Sequence, residues 1–287
     1  MSVQLPRPSA VQPVTTHTLH KFKREGRPIV ALTAYDYALA KLVDQAGVDL
    51  ILVGDSLGNV VQGHDSTLPV TVDDIIYHCR AVRRAIKRAH LVGDMPFMSY
   101  HVSPEQALQN AGRLMQEGAC HSVKLEGGQE VAATVRRITA AGIPVMGHIG
   151  LTPQSVHQLG GHKVQGRSDE ARAKLLLDAQ ALQDAGAYAV VLECVPELLS
   201  DELTKTLSIP TIGIGAGKRC DGQILVLHDM LGLLPEFTPR FVRRFSNLGE
   251  LLLQAVERYG EAVRDHSFPA RAETFDPLPE ETRVAAP

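Results

Sequence analysis

The sequence predicts an α/β protein, a single-domain (β/α)8 barrel of the TIM type. Short apolar runs rich in β-formers recur eight times along the chain, and most are separated by a segment of helical periodicity. The runs are continuously hydrophobic rather than alternating, as a parallel strand covered on both faces requires. A length of 287 residues suits one barrel, and eight strands favour that closed form over an open doubly wound sheet.

In order, the runs are "IVALT" (29–33), "LILV" (50–53), "LVGD" (91–94), "SVKLE" (122–126), "PVMGH" (144–148), "YAVVLE" (188–193), "PTIGI" (210–214) and "ILVLH" (224–228). Between the second and third, Val72, Ile75, Ile76, Cys79, Val82 and Ile86 form one helical stripe, and Thr71 is placed to cap it. Ser168 and Gly186 bracket a second such helix. "AGV" at 46–48, "EGA" at 117–119, "AGI" at 141–143 and "AGA" at 185–187 each close a helix ahead of a strand. The seventh and eighth runs are joined only by "GAGKRCDGQ", too short for a full helix. Residues 1–16 and 267–287 are Pro-rich and polar or charged, and read as a flexible extension and a disordered tail around a catalytic domain spanning 17–266.

Composition excludes several classes. Apolar residues are 44%, charged residues 21%, and the net charge is -3, so nothing suggests a nucleic-acid partner. The basic run "RAVRRAIKR" (80–88) reads as a solvated helix face. No stretch is long and apolar enough for a membrane span or a signal h-region, and Cys79, Cys120, Cys194 and Cys220 lack metal or disulfide spacing. A cytoplasmic protein with reduced thiols is expected. No P-loop occurs.

A barrel gathers the C-terminal ends of its strands at one mouth. Those ends carry Tyr35, Asp55 and Ser56, Asp94, Lys124 and Glu126, His148 and Glu193. Asp55 alone reads as a turn residue. Asp55, Asp94 and Glu126 together would repel one another unless a cation sat among them, and hard carboxylate oxygens suit Mg²⁺. Lys124 and Glu126, two apart on a strand, leave the same face. Lys124 would then meet an anionic ligand or pair with the carboxylates. Glu193 ends a run with no other charge, where scarce water would make it a stronger base, fit to take a proton beside a carbonyl. An ion pair is its other reading. His148 either donates to a substrate oxygen or satisfies the core. The glycines of "IGIGAGKRCDG" (212–222) suit a phosphate cradle or tight backbone packing.

The stretches "LTAYDYALAKL", "LVGDSLGNVVQGHDSTLPVT", "GDMPFMSY", "VKLEGG", "GHIGLTPQSVHQLGGHKVQGR", "LECVP" and "IPTIGIGAGKRCDGQILVLHDMLG" closely resemble the ketopantoate hydroxymethyltransferase family, from about residue 17 to 265. The resemblance implies a Mg²⁺-dependent (β/α)8 barrel that moves a hydroxymethyl group from 5,10-methylenetetrahydrofolate to 3-methyl-2-oxobutanoate. The product is 2-dehydropantoate, on the route to pantothenate, formed through an enolate whose charge the ion stabilises. It further implies Asp55, Asp94 and Glu126 around the metal, and Asp55, Ser56, Asp94 and Lys124 at the keto acid. Glu193 would be the proton acceptor, with His148 and Tyr35 in support. It also implies a homodecamer, a pentamer of dimers. Two other readings fit a barrel of this kind: a Mg²⁺-dependent oxo-acid enzyme of the phosphoenolpyruvate mutase and isocitrate lyase type, and a non-catalytic ligand-binding barrel.

Overall fold

A computed structural model describes residues 12–234 and 239–275. Eight parallel strands pair in chain order and close on themselves: β1 Ile29–Thr33, β2 Leu50–Val53, β3 His90–Asp94, β4 Ser122–Glu126, β5 Val145–Gly150, β6 Ala189–Glu193, β7 Thr211–Ile214 and β8 Gly222–Leu225. The predicted (β/α)8 barrel is therefore the observed one, and its first seven strands begin within one residue of the expected positions.

The eighth strand differs. Expected at 224–228, it pairs instead from Gly222, opposite Ile29, to Leu225, opposite Leu32. Gly222 makes the close approach possible, since a Cβ there would lie 2.6 Å from the Ile29 carbonyl oxygen. The apolar run continues past the sheet into a short helix, Leu227–Leu231, whose first amide donates to Thr33 Oγ1 at 3.1 Å. Hydrophobicity alone does not separate a buried strand from a buried helical turn. No helix follows β7, so the 215–221 loop leads directly to β8.

Two layers of core hold the barrel. Ile29, Leu50, Val92, Met146, Val191, Ile212 and Ile224 fill its interior. A larger shell, including Ile51, Ile75, Leu91, Leu125, Leu182 and Leu192, lies between sheet and helices. The helix Val72–Ala85 buries Ile75, Ile76, Cys79 and Val82, and Thr71 and Asp74 cap it reciprocally. Ser168 caps Asp169–Asp184, and Gly186 ends that unit at φ 94°. Arg88 departs from the expectation of a solvated helix face. The helix ends at Ala85, and Arg88 turns inward to ion-pair with Asp49.

The N-terminal end of the barrel is plugged. Val14, and Leu19 and Phe22 of the helix Thr16–Glu25, join the interior core. The Val14 amide donates to Arg88 O at 2.8 Å, so the end of the expected 1–16 extension is packed; residues 1–11 lie outside the described residues. Beneath the plug, Ser122 Oγ joins His90 Nε2 and Tyr188 OH, each at 2.9 Å. At the other terminus, the helix Leu248–Arg264 buries none of its residues, and Leu252, Val256, Tyr259 and Val263 are exposed. Of the expected tail, residues 267–275 are described and include a 3-10 turn, Arg271–Glu273; residues 276–287 lie outside the described residues.

Candidate active site

The C-terminal ends of β2 to β6 carry an unbroken file of charged side chains around the mouth. The Asp55 amide donates to Asp94 Oδ2 at 3.1 Å. Lys124 Nζ meets Asp94 Oδ1 at 2.7 Å and lies 3.7 Å from Glu126 Oε1. His148 then spans two acids, with Nδ1 3.3 Å from Glu126 Oε1 and Nε2 3.2 Å from Glu193 Oε2. Neither contact has good hydrogen-bond alignment. Every site residue predicted on these strand ends lies on one wall. Tyr35, after β1, joins them by an OH-to-Oγ hydrogen bond of 2.8 Å with Ser56.

The local backbone explains the convergence. Asp55 follows Gly54, just past β2, and Asp94 and Glu193 are the last residues of their strands. Lys124 and Glu126 share one face of β4, as their spacing requires. Gly150 ends β5 at φ 95°, where a Cβ would come within 2.2 Å of the Glu193 carbonyl oxygen. Only a residue without a side chain lets β5 and β6 close there. Cys194 turns the chain after Glu193 with φ 48°.

Electrostatics set the character of the wall. Burial, and then the neighbouring charges of Asp94 and Glu126, push the Asp55 carboxyl well above its usual range. Asp94 is also raised, by burial first, with Lys124 pulling against it. Glu126 is lowered: its burial is outweighed by His148, Lys124 and the Gln154 amide. His148, though buried beside Lys124, is held at about 9 by the two glutamates. Lys124 is buried yet raised, because the three carboxylates overcome its desolvation. Glu193, which closes a run with no other charge, has His148 beside it at 3.2 Å, and its side chain is 15% exposed.

Four acids thus crowd around Lys124 and His148, and the upward push that Asp94 and Glu126 exert on Asp55 is a repulsion that a divalent ion would relieve. Among the described residues no three Asp, Glu, His or Cys side chains converge as a complete ligand set. Asp55 and Asp94, on neighbouring strand ends, offer the hard carboxylate oxygens that Mg²⁺ takes, one or two at a time, with water and substrate oxygens filling the rest of its shell.

The wall faces a cavity of about 860 Å³, lined further out by Asn59, Thr67, His157, Val164, Val226 and Phe241. The glycine-rich 212–222 segment packs tightly: a Cβ at Gly213 would meet Cys220 Sγ at 2.9 Å, and one at Gly217 would meet Glu197 at 2.5 Å. Its glycines serve close packing. Two buried residues escaped the sequence reading, Tyr100 and Gln154. Gln154 Nε2 donates to Asp55 Oδ2 at 2.9 Å, and its amide donates to Glu126 Oε2 at 3.0 Å. Tyr100 OH donates to Gln154 Oε1 at 2.7 Å. Both lie in quoted stretches, "GHIGLTPQS" and "GDMPFMSY", but neither titrates near neutral pH, and a search for charge passes them by.

Comparison with known proteins settles the family. The family model described as ketopantoate hydroxymethyltransferase matches residues 13–271. The chain belongs to the ketopantoate hydroxymethyltransferase family. Proteins named 3-methyl-2-oxobutanoate hydroxymethyltransferase from Thermoanaerobacter sp. (strain X514) and Syntrophomonas wolfei are 55% and 57% identical to it over 262 residues. These alignments cover 91% of this chain and 96% and 95% of those proteins. Among solved structures, a putative phosphonomutase from Burkholderia cenocepacia J2315 superposes with TM-score 0.59 at 14% identity, covering 88% of this chain and 98% of that one. A phosphonopyruvate hydrolase in complex with oxalate and Mg²⁺ superposes with TM-score 0.58, also at 14% identity, covering 91% of each chain. At that identity the likeness is one of fold: this chain shares its barrel with proteins named for other activities.

Proposed function

We propose that this chain transfers a hydroxymethyl group from 5,10-methylenetetrahydrofolate to 3-methyl-2-oxobutanoate, consuming water and releasing 2-dehydropantoate and tetrahydrofolate. The observation that carries the reading is the continuous file Asp55–Asp94–Lys124–Glu126–His148–Glu193 around one mouth, in a chain of this family. Asp55 and Asp94 would hold Mg²⁺, with Glu126 in its outer shell. There the ion would polarise the substrate's oxo group and offset the charge developing on it.

The protein groups do the rest. Lys124 Nζ and Ser56 Oγ bind the anionic end of the oxo acid, and Tyr35 OH fixes the Ser56 hydroxyl. Burial and the acids nearby push the Tyr35 phenol up, so it stays a neutral donor. Glu193 takes the proton from the branched carbon next to the carbonyl. His148 Nε2 lies 3.2 Å from Glu193 Oε2 and sets a positive charge beside that base. The resulting carbanion attacks the one-carbon unit and water supplies the hydroxyl, while both bonds from that carbon to folate nitrogens break; the proton taken by Glu193 and one from water end on those nitrogens, releasing tetrahydrofolate. A small oxo acid occupies little of an 860 Å³ cavity, and the apolar outer wall of Val156, Val164, Val226 and Phe241 suits a flat ring of a larger co-substrate.

The four cysteines are free, in keeping with a reducing cytoplasm. Among the described residues no helix is long and apolar enough to cross a membrane. The apolar stripe on Leu248–Arg264 supports a homo-oligomer, which we take to be a decamer built as a pentamer of dimers. The deciding experiment incubates the purified chain with both substrates and Mg²⁺, with and without a chelator. We expect 2-dehydropantoate only when folate donor and free divalent ion are both present. Turnover of an oxo acid without folate would instead point to lyase or mutase chemistry.

A further inference from the structure

We propose that the Gln154 side chain is a positioning residue that fixes Asp55 for capture of a divalent cation. The inference rests on the reading above, in which Asp55 and Asp94 hold such an ion.

Gln154 lies in the 3-10 turn Pro153–Ser155 beyond β5 and is 4% exposed. Both polar atoms of its side chain and its backbone amide are engaged. Nε2 donates to Asp55 Oδ2 at 2.9 Å and to the Met95 carbonyl at 3.1 Å. Oε1 accepts from Tyr100 OH at 2.7 Å, and the backbone amide donates to Glu126 Oε2 at 3.0 Å. Tyr100 OH in turn accepts the Glu126 amide at 3.2 Å. One side chain therefore ties the segments that follow β2, β3 and β5 together, and its own backbone tethers the end of β4.

The consequence falls on Asp55. Gln154 occupies Oδ2, and no described residue hydrogen-bonds Oδ1, which is left for the cavity that Asp55 lines. A carboxylate held in one rotamer before the ion arrives loses no further freedom on capture. Partners of this kind orient ligands and tune affinity without touching the metal. A residue that only filled space would need no amide here. Its hydrogen bonds show what it holds, and Tyr100 sets which way the amide faces.

The test measures binding directly, on the full chain, with Mn²⁺ as a spectroscopic replacement for Mg²⁺; free Mn²⁺ is counted by electron paramagnetic resonance. Gln154→Met keeps the length and removes the hydrogen bonds of the side chain. We expect it to weaken Mn²⁺ binding by about 10- to 100-fold. Tyr100→Phe, which loses the hydrogen bonds to Gln154 and to the Glu126 amide, should weaken it less. Unchanged Mn²⁺ affinity in a folded Gln154→Met would overturn the proposal and leave Gln154 as packing. If that variant does not fold, Tyr100→Phe decides alone, and unchanged affinity there overturns the proposal equally. Failure of the unaltered chain to bind Mn²⁺ would bring down the ion-binding reading itself, and this inference with it.

Discussion

Glu193 Oε2 lies 3.2 Å from His148 Nε2 and on the same wall as the buried aspartates, so the charge of its carboxylate is what the chemistry needs. Glu193→Gln preserves shape and loses the base. We expect kcat to fall by on the order of 10²- to 10⁴-fold, while calorimetry shows the keto acid still bound. Deuterium exchange at the substrate's branched carbon, at the rate of the unaltered chain, would remove Glu193 from this role. A second test uses glycines. Gly150→Ala forces a methyl group against the Glu193 carbonyl, at a φ that side chains avoid. We expect about 1–3 kcal/mol of lost stability by urea titration, together with reduced kcat. Gly47→Ala is the control: it also has positive φ, but its added methyl meets nothing within 4 Å, so only stability should fall. The charged part of the site was legible because acids ending apolar strands are conspicuous. Gln154 and Tyr100 were not, because uncharged residues declare their partners only once the strand-end loops fold over the mouth.

At the scale of elements, the N-terminal end of β3 carries a buried base. His90 is held at about 4, by burial first and by His121 second, against an ordinary 6.5. The sign follows from that depression. Above pH 6.5 both folded and unfolded chains carry a neutral imidazole, and stability is complete. Between about 6.5 and 4 the unfolded chain binds a proton that the folded chain refuses, so stability falls as pH falls. The loss reaches on the order of 3 kcal/mol from His90, and His121 and His20, also lowered, add to it with the same sign. We expect the urea midpoint to decline over this window, and less steeply in His90→Gln. A parallel decline in the two proteins would contradict the assignment. Most elements here were readable: strand runs, the Thr71 and Ser168 caps and the glycine stops all correspond to local chemistry. The eighth strand slipped because Gly222 and Gln223 look like loop and gain strand character only by pairing with Ile29 and Val30. Arg88 was misread because its partner, Asp49, comes from the far side of β2 in sequence.

For the whole molecule, the helix Leu248–Arg264 is a long element that buries none of its side chains among the described residues. Leu252, Val256, Tyr259 and Val263 stand at spacings of four, three and four, which places them on one face. Sedimentation should show an assembly heavier than one chain, and Leu252→Glu combined with Val256→Glu should shift it to a smaller species. A single-chain species before substitution would refute the reading.

The short 215–221 link leaves one gap in the ring of outer helices, beside the weakest pairing, where β7 and β8 share only Ile212 with Gly222 and Gly213 with Gln223. Lys23, from the helix ahead of β1, bolts that gap by reaching Asp221 at 2.7 Å and the Thr204 carbonyl at 2.8 Å. The staves of this barrel are thus hooped at their loosest joint by a residue preceding all of them. Clipping the leading helix would let the joint breathe first, with amide protons between β7 and β8 trading with solvent well before those of β4 and β5.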